Sequence, residues 1–315
     1  MIHPAVFGLI LVGLILSPLQ AARKFSVTFD VRDDRSHPVV GADAGVTVER
    51  LRWTDPEDQF DSIRGRTDEN GLLTLEGKSE VSGFHYGVQA EGHYVVWSKR
   101  HPFSGKSLFR WQPWNPTIPV VLKRIRNPVP MYVRRLRDVG LDEKREVALD
   151  MVKGAWLPPW GKGEVADVVL SMEVDVRDVK NDFDVIVTVR MPNSGDGLQR
   201  VKTESDGSFP LPSFYEAPID GYEPEMRLTR SRGREGDQVF DRSNHGAKDG
   251  YIFRIRTERD NQGNVKSAWY GKIRGHWLHG IYYLNPDGTR NLEYAPKHNL
   301  AATLPQDRLQ LPKVR

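Results

Sequence analysis

Apolar and polar residues alternate along several short segments of this 315-residue chain, and that period of two constrains its fold more than any other feature. Between Lys24 and Val31 every second residue is apolar, and the residues between them are polar. Successive side chains of a β-strand point to opposite faces, so the pattern predicts a half-buried strand. Because the same pattern returns along the chain as far as Ile273, we expect an all-β protein.

The first hundred or so residues after the N-terminal segment predict a β-sandwich. Further strands are expected around residues 45–53, 71–76, 83–90, 94–99 and 118–123. Between two of them, Asn70–Gly71 predicts a hairpin turn in which Gly71 has a positive φ. The aromatic segment His101–Pro116 is rich in turn formers and predicts a long loop at one end of the sandwich.

Three motifs in this region are Pro38–Ala42 (PVVGA), Thr67–Gly71 (TDENG) and Val88–Tyr94 (VQAEGHY). Through them the region resembles the transthyretin-like, carboxypeptidase-regulatory-like β-sandwich module. The resemblance implies that residues 23–127 carry or present other groups and rarely perform chemistry. The zinc-binding HxxE motif of the carboxypeptidase enzymes is absent from the sequence.

Residues 128–315 are predicted to form a second β-rich domain, because the stiff Asn127–Pro130 segment is typical of a linker. Alternation predicts two hairpins, over residues 168–191 and 251–273, whereas the charged segment Arg227–Asp249 predicts a loop. This half also resembles a group of secreted bacterial proteins through Lys153–Asp167, and through Tyr282–Pro286 with Arg290–Glu293. That second resemblance implies no activity.

Residues 1–22 are typical of a secretory signal peptide. An apolar run from Ala5 to Leu16 is followed by the small residues Ala21 and Ala22, where a peptidase could cut. The run is shorter than the roughly 20 residues that cross a bilayer, although an uncleaved anchor stays an alternative. We therefore expect a secreted or periplasmic protein with no stable membrane insertion after processing. The chain has no cysteine, so it contains neither a disulfide framework nor a lipoprotein anchor.

Charge and motifs exclude several function classes. With 45 basic and 42 acidic residues, the near balance argues against nucleic acid as the main partner. The sequence contains neither HExxH nor GxSxG. His276 and His279 would point to opposite faces of a strand, so they predict no metal site. We therefore predict no catalytic residue, metal or cofactor, and the sequence favours a non-enzymatic role.

Four tryptophans in turn-rich segments and one neighbouring arginine are the candidate binding residues: Trp111, Trp114, Trp156, Trp160 and Arg110. Exposed flat rings at the end of a sandwich can stack on sugar rings; alternatively, these rings plug the ends of the core. The leading hypothesis is an exported protein with a binding or structural role, whose partner is a glycan or an envelope protein. The alternatives are a glycan-binding or glycan-active protein that uses the tryptophan-rich loops, and a hydrolase with an unfamiliar site in the second domain.

Overall fold

The computed structural model describes residues 22–51, 59–136, 146–178, 182–202, 214–236, 238–246, 249–301 and 308–309. These residues form strands and turns with no α-helix, which confirms the predicted all-β class. None of them belongs to a helix long and apolar enough to cross a bilayer. The predicted signal peptide, except Ala22, lies outside the described residues.

The chain folds into two compact units. Of the described residues, the first comprises those up to Ala90 together with Ser98–Leu122, and the second comprises Glu91–Trp97 together with those from Lys123 onward. The chain therefore enters the second unit, returns to the first, and then leaves it for good. The boundary predicted between residues 127 and 128 stays a prediction.

The first unit is built from short strands in two sheets and one small hairpin. These strands are β1 (Arg23–Asp33), β2 (Asp43–Glu49), β3 (Phe60–Arg66), β4 (Leu72–Ser79), β5 (Gly83–Gln89), β6 (Val96–Pro102), β7 (Gly105–Lys106), β8 (Trp111–Gln112) and β9 (Thr117–Leu122). One sheet has the order β4-β1-β9 and the other β3-β2-β5-β6, while β7 pairs with β8.

Aromatic contacts join the two sheets of this unit face to face. The alternating apolar residues of β1 are buried, as their period predicted. Phe25 of β1 stacks on Phe84 of β5 with ring centroids 5.6 Å apart, and Phe29 lies 5.3 Å from Tyr86. Because β1 and β5 belong to different sheets, these contacts define a sandwich with an aromatic core.

The turn at Asn70–Gly71 is present, but the hairpin predicted around it is wrong. Gly71 has a φ of +76°, and its N–H donates to Asp68 O at 3.0 Å. However, β3 before the turn pairs with β2, whereas β4 after it pairs with β1. The turn therefore passes the chain from one sheet to the other, because a positive-φ glycine fits a tight corner as well as a hairpin.

The second unit contains longer strands. They are β10 (Val129–Leu136), β11 (Glu146–Asp150), β12 (Ala155–Trp156), β13 (Val168–Asp178), β14 (Asp182–Arg190), β15 (Gly197–Lys202), β16 (Glu225–Glu235), β17 (Gln238–Ser243), β18 (Asp249–Arg259), β19 (Val265–Arg274), β20 (Ile281–Asn285), β21 (Tyr294–Asn299) and β22 (Arg308–Leu309). One sheet runs β15-β18-β19-β20-β10-β21, with β22 also paired to β10, and the other runs β12-β11-β13-β14-β16-β17.

A shared apolar core joins these two sheets. Leu170 and Val189 of one sheet and Phe253 and Leu284 of the other belong to one buried cluster. The Tyr282 hydroxyl donates to Met151 O at 2.8 Å from within it. Both predicted hairpins are confirmed, since β13 pairs with β14 and β18 with β19 in antiparallel register.

The charged segment predicted to be a loop is instead a hairpin. Strands β16 and β17 pair antiparallel, and Arg230 and Asp241 make a bidentate ion pair with contacts of 3.1 and 2.8 Å. The pattern of this segment is set by charge rather than by hydrophobicity, because most side chains of β17 are exposed. Cross-strand ion pairs stabilise this hairpin in place of the apolar face that is typical of a half-buried strand.

A partly buried arginine joins segments of the second unit that are distant in sequence. Arg256 of β18 donates to Asp167 at 2.9 and 3.1 Å and to Asp150 at 3.1 Å, and both carboxylates are almost wholly buried. Asp167 Oδ2 also accepts the Met151 N–H at 2.8 Å. Burial raises the pKa of Asp167 above its ordinary value despite the guanidinium. With no solvent-accessible carboxylate surface, this cluster has a structural role.

Candidate functional site

The candidate site is a concave pocket of about 480 Å³ in the second unit, which we call the histidine pocket. It is lined by Arg230, Asp241, Ser243, His245, Gly246, Asp249, Tyr251, Gly275, His276 and His279. Its volume falls within the range of roughly 300–1,000 Å³ that small-molecule sites occupy. The lining residues come from the charged hairpin and the segment after it, from the start of β18, and from the turn between β19 and β20.

The β19–β20 turn places two histidines on one wall. Gly275 has a φ of +83°, which favours glycine, and the His279 N–H donates to His276 O at 3.1 Å to close the turn. Trp277 between them is fully buried and packs about 6 Å from the rings of Tyr251 and Phe253. Because Trp277 fills the core, the histidines on either side remain at the surface of the pocket.

Three imidazole rings lie against one another there. The His276 and His279 rings are nearly parallel, with an angle of 16° and centroids 5.4 Å apart. The His245 ring lies 4.9 Å from the His276 ring at an angle of 52°. The expectation that His276 and His279 point to opposite faces is therefore wrong, because these residues form a turn rather than a strand.

The arrangement disfavours protonation of two of these rings. Burial, and then the neighbouring His245 and His279, lowers the pKa of His276 to about 4. Burial, and then Arg200, also lowers the pKa of His245. His276 Nδ1 accepts the Leu278 N–H at 3.2 Å, which places the proton of the neutral ring on Nε2. At neutral pH both rings are therefore uncharged.

The carboxylates of the pocket already have protein partners. The hydrogen bond from Arg230 lowers the pKa of Asp241. Asp249 is buried and pairs with Lys202, and it accepts the Gly246 N–H at 3.0 Å. Burial acts to raise the pKa of Asp249, but these hydrogen bonds bring it below its ordinary value. Both groups are therefore ionised and neutralised by the protein at pH 7.

The serine of the pocket does not match a hydrolase triad. Ser243 Oγ lies 2.9 Å from His245 Nδ1, donates to Thr229 O at 3.1 Å and accepts the His245 N–H at 3.2 Å. In a Ser-His-Asp triad the serine contacts Nε2 and a carboxylate orients Nδ1. Here Nδ1 faces the serine, so Ser243 and His245 form a local turn motif.

The stacked rings also do not converge on a metal position. Parallel imidazoles direct their nitrogens side by side rather than toward one point, as tetrahedral coordination requires. Within the described ranges, no group of three or more His, Cys, Asp or Glu residues could hold a metal ion.

The structure places the predicted tryptophans at very different depths. Trp111 and Trp156 are each only 3% exposed. Trp111 stacks on Phe103 with centroids 5.0 Å apart, and its indole N–H donates to Ser79 O at 2.9 Å. Trp160 is half-buried against the core of the second unit. Trp111, Trp156 and Trp160 therefore all contribute to packing, and a binding role for them stays a prediction.

Trp114 is the one indole of that set with a large free area. It is 36% exposed, and the Arg110 guanidinium lies 4.7 Å from its ring. Trp111 and Trp114 therefore do not form a pair of exposed coplanar rings.

Sequence reasoning missed three residues of the histidine pocket, His245, Asp249 and Arg230, because they lie in a segment predicted to be an irregular loop.

No protein-family model matches the chain, and no curated protein matches it. Among solved structures, it is similar to a 3-chlorocatechol 1,2-dioxygenase from Rhodococcus opacus 1CP at 12% identity, covering 34% of this chain and 62% of that one, with a TM-score of 0.27. A shaft pilin from Lactobacillus rhamnosus GG matches at 11% identity over 84% and 89% of the two chains, with a TM-score of 0.24. A DUF3823 family protein from Parabacteroides merdae ATCC 43184 matches at 7% identity over 87% and 100%, with a TM-score of 0.19.

This chain thus spans less than two thirds of the dioxygenase. At such low TM-scores and identities, the three likenesses transfer neither a family nor an activity. The histidine pocket must be interpreted from its own chemistry.

Proposed function

We propose that this chain is an exported, non-enzymatic protein that binds a polar ligand in the histidine pocket, with a role in the cell envelope or the extracellular space. The supporting observation is the state of the pocket's reactive groups. Its carboxylates and its serine are engaged by protein partners, and the Nδ1 lone pair of His276 accepts the Leu278 N–H. A general base or nucleophile needs a free lone pair in a suitable position, whereas a binding site needs directed hydrogen-bonding groups.

The groups that remain suit a polyhydroxylated ring such as a glycan. The imidazole N–H groups donate, the exposed Asp241 carboxylate has further lone pairs to accept hydroxyl protons, and the flat His279 ring offers an exposed edge and face. A mixture of donors, acceptors and planar surfaces is what a sugar needs, because its hydroxyls do both and its C–H faces stack. In this proposal the glycan binds in the second unit, whereas the alternative site in the loop His101–Pro116 would depend on Trp114, because Trp111 is buried.

Export and the transthyretin-like module belong to the same proposal. The apolar N-terminal run and the small residues at Ala21 and Ala22 support a cleaved signal peptide. A seven-stranded sandwich whose strand β9 pairs beside β1 supports the transthyretin-like resemblance of the first unit. Such a sandwich is a rigid scaffold, and ligands bind to the loops and surface residues that it holds in place.

The proposal is tested by calorimetric titration with neutral and acidic oligosaccharides against the wild type and His279→Ala. His279 is exposed and its side chain lies outside the core, so its removal should weaken binding about tenfold while leaving the melting temperature unchanged. His298→Ala is the matched control, because His298 is an exposed histidine of the same unit and does not line the pocket. If wild type and His279→Ala bind with equal affinity, the ligand does not bind in the histidine pocket. If new reducing ends are released steadily from the oligosaccharide, the protein is an enzyme instead.

A further inference from the structure

The turn Ser107–Arg110, between β7 and β8, carries the two most exposed large apolar side chains of the described residues. Leu108 is 78% exposed and Phe109 is 73% exposed. They are adjacent, and both stand at the end of a hairpin of the first unit. We call the segment Ser107–Arg110 the apolar tip.

The backbone of the apolar tip is fixed, so this exposure is built into the fold. The Ser107 N–H donates to Arg110 O at 2.8 Å, which closes the turn. Strand β1 holds it from the side, since the Lys24 N–H donates to Phe109 O at 3.0 Å and Arg23 Nε to Ser107 O at 3.2 Å. The buried Trp111 anchors the hairpin directly behind the tip. Two apolar side chains held rigidly in water are characteristic of a contact surface.

Basic residues surround the apolar tip. Lys106 precedes it and Arg110 is its last residue, Arg23 and Lys24 contact it, and Lys78 lies opposite Lys24 in the β1–β4 register. The loop His101–Pro116 that contains the tip has no acidic residue. The surface that meets the tip should therefore be both apolar and anionic.

From this combination we propose that the apolar tip makes reversible contact with an anionic lipid surface. Leu108 and Phe109 enter the interface between headgroups and acyl chains, while the surrounding cations bind lipid phosphates. A folded protein partner fits less well, because stable protein interfaces bury roughly 800 Å² on each side and two side chains on one turn cover much less. Arg23 and Lys24 directly follow the apolar N-terminal segment in sequence, so the tip lies next to the point where the chain leaves that segment.

The test uses a chain from Ala22 to Arg315, which contains every residue described, so that the apolar N-terminal segment cannot bind lipid itself. Binding is measured by co-sedimentation with vesicles of phosphatidylcholine alone and with about 30% phosphatidylglycerol. We expect binding to the anionic vesicles only, weakened at high salt and reduced at least about tenfold by Leu108→Ser with Phe109→Ser. The matched control, Ile219→Ser, replaces an apolar residue that is 71% exposed in the second unit and should bind like the wild type.

A second variant separates charge from hydrophobicity. Lys106→Glu with Arg110→Glu should abolish the preference for anionic vesicles while keeping Leu108 and Phe109 in place. Failure of the wild type to bind anionic vesicles would overturn the proposal, and so would undiminished binding by the Leu108→Ser, Phe109→Ser variant. Circular dichroism checks that each variant is folded.

Discussion

Replacing Gly71 by alanine should destabilise the first unit much more than replacing Gly41, although both glycines have nearly the same backbone conformation. Gly71 has a φ of +76° and Gly41 a φ of +69°, so each substitution incurs a left-handed penalty of about 1 kcal/mol. Only Gly71 adds a clash, because a Cβ there would lie 2.5 Å from Val31 O, whereas a Cβ on Gly41 meets nothing within 4 Å.

The clash cannot be relieved locally. Val31 donates its N–H to Gly71 O at 2.8 Å and accepts the Val39 N–H at 3.0 Å, so moving its carbonyl weakens both hydrogen bonds. Each is worth about 1 kcal/mol, so Gly71→Ala should lower the free energy of unfolding by about 3 kcal/mol, against about 1 for Gly41→Ala.

For a unit of this size, that difference corresponds to a melting temperature lower by roughly 8–16 °C. Differential scanning calorimetry of the two variants side by side measures it. Equal shifts for the two variants would refute the reasoning, because they would mean that the backbone conformation alone requires glycine at residue 71.

Three further results are expected. Trp111→Ala should lower the free energy of unfolding by about 3–5 kcal/mol in urea titrations, whereas Trp114→Ala should change it by less than about 1; a stable Trp111→Ala protein would contradict the packing role. Stability should be fully present above about pH 6.5 and decrease as the pH falls toward 4, because the lowered pKa of His276 makes the folded protein resist a proton that the unfolded chain accepts. The His276→Asn variant should lose about 2 kcal/mol less stability over this pH range than the wild type. If the variant and the wild type have the same pH profile, His276 is not the group responsible. Arg256→Met should cost about 3–5 kcal/mol by chemical denaturation, since it leaves Asp167 buried without its cation, and Arg256→Met together with Asp167→Leu should recover part of this cost.

Most of the fold could be predicted from hydrophobic alternation. Strand β1 and the pairs β13–β14 and β18–β19 each have one buried face, and an alternating sequence is what such strands require. Strand β3 was missed because it lies at the edge of its sheet and buries little, so its residues carry only a weak apolar pattern. Strand β17 was missed for the same reason, with cross-strand charges replacing apolar contacts.

The site was harder to predict, because it depends on where turns direct side chains. The sequence singled out His276 and His279, but strand geometry was the wrong rule for a turn whose central Trp277 is buried in the core. His245 joins them from a segment about thirty residues earlier, and no sequence period connects the two. One usable signal was present: Arg230, Arg232 and Arg234 stand at every second position, which is the period of a strand with one solvated face.

The apparent linker also illustrates a limit of sequence reasoning. Prolines mark an extended backbone, but they do not reveal which unit each flanking residue belongs to. The structure gives residues 91–97 to the second unit even though the first unit resumes at Ser98.

That path of the chain has a practical consequence for dividing the protein. Tyr94, only 6% exposed, donates its N–H to Lys123 O at 2.8 Å and its hydroxyl to Tyr294 O at 2.7 Å. A fragment that ends at Leu122 keeps the strands of the first unit, but its residues 91–97 lose these partners. Tyr94, which is buried in the whole protein, would then be exposed to water, and its backbone N–H would lose its hydrogen bond. A fragment that begins at Lys123 lacks residues 91–97 altogether. Neither half can be obtained intact by a single cut, so proteases that nick between residues 122 and 128 should leave two pieces that stay together until the protein is denatured.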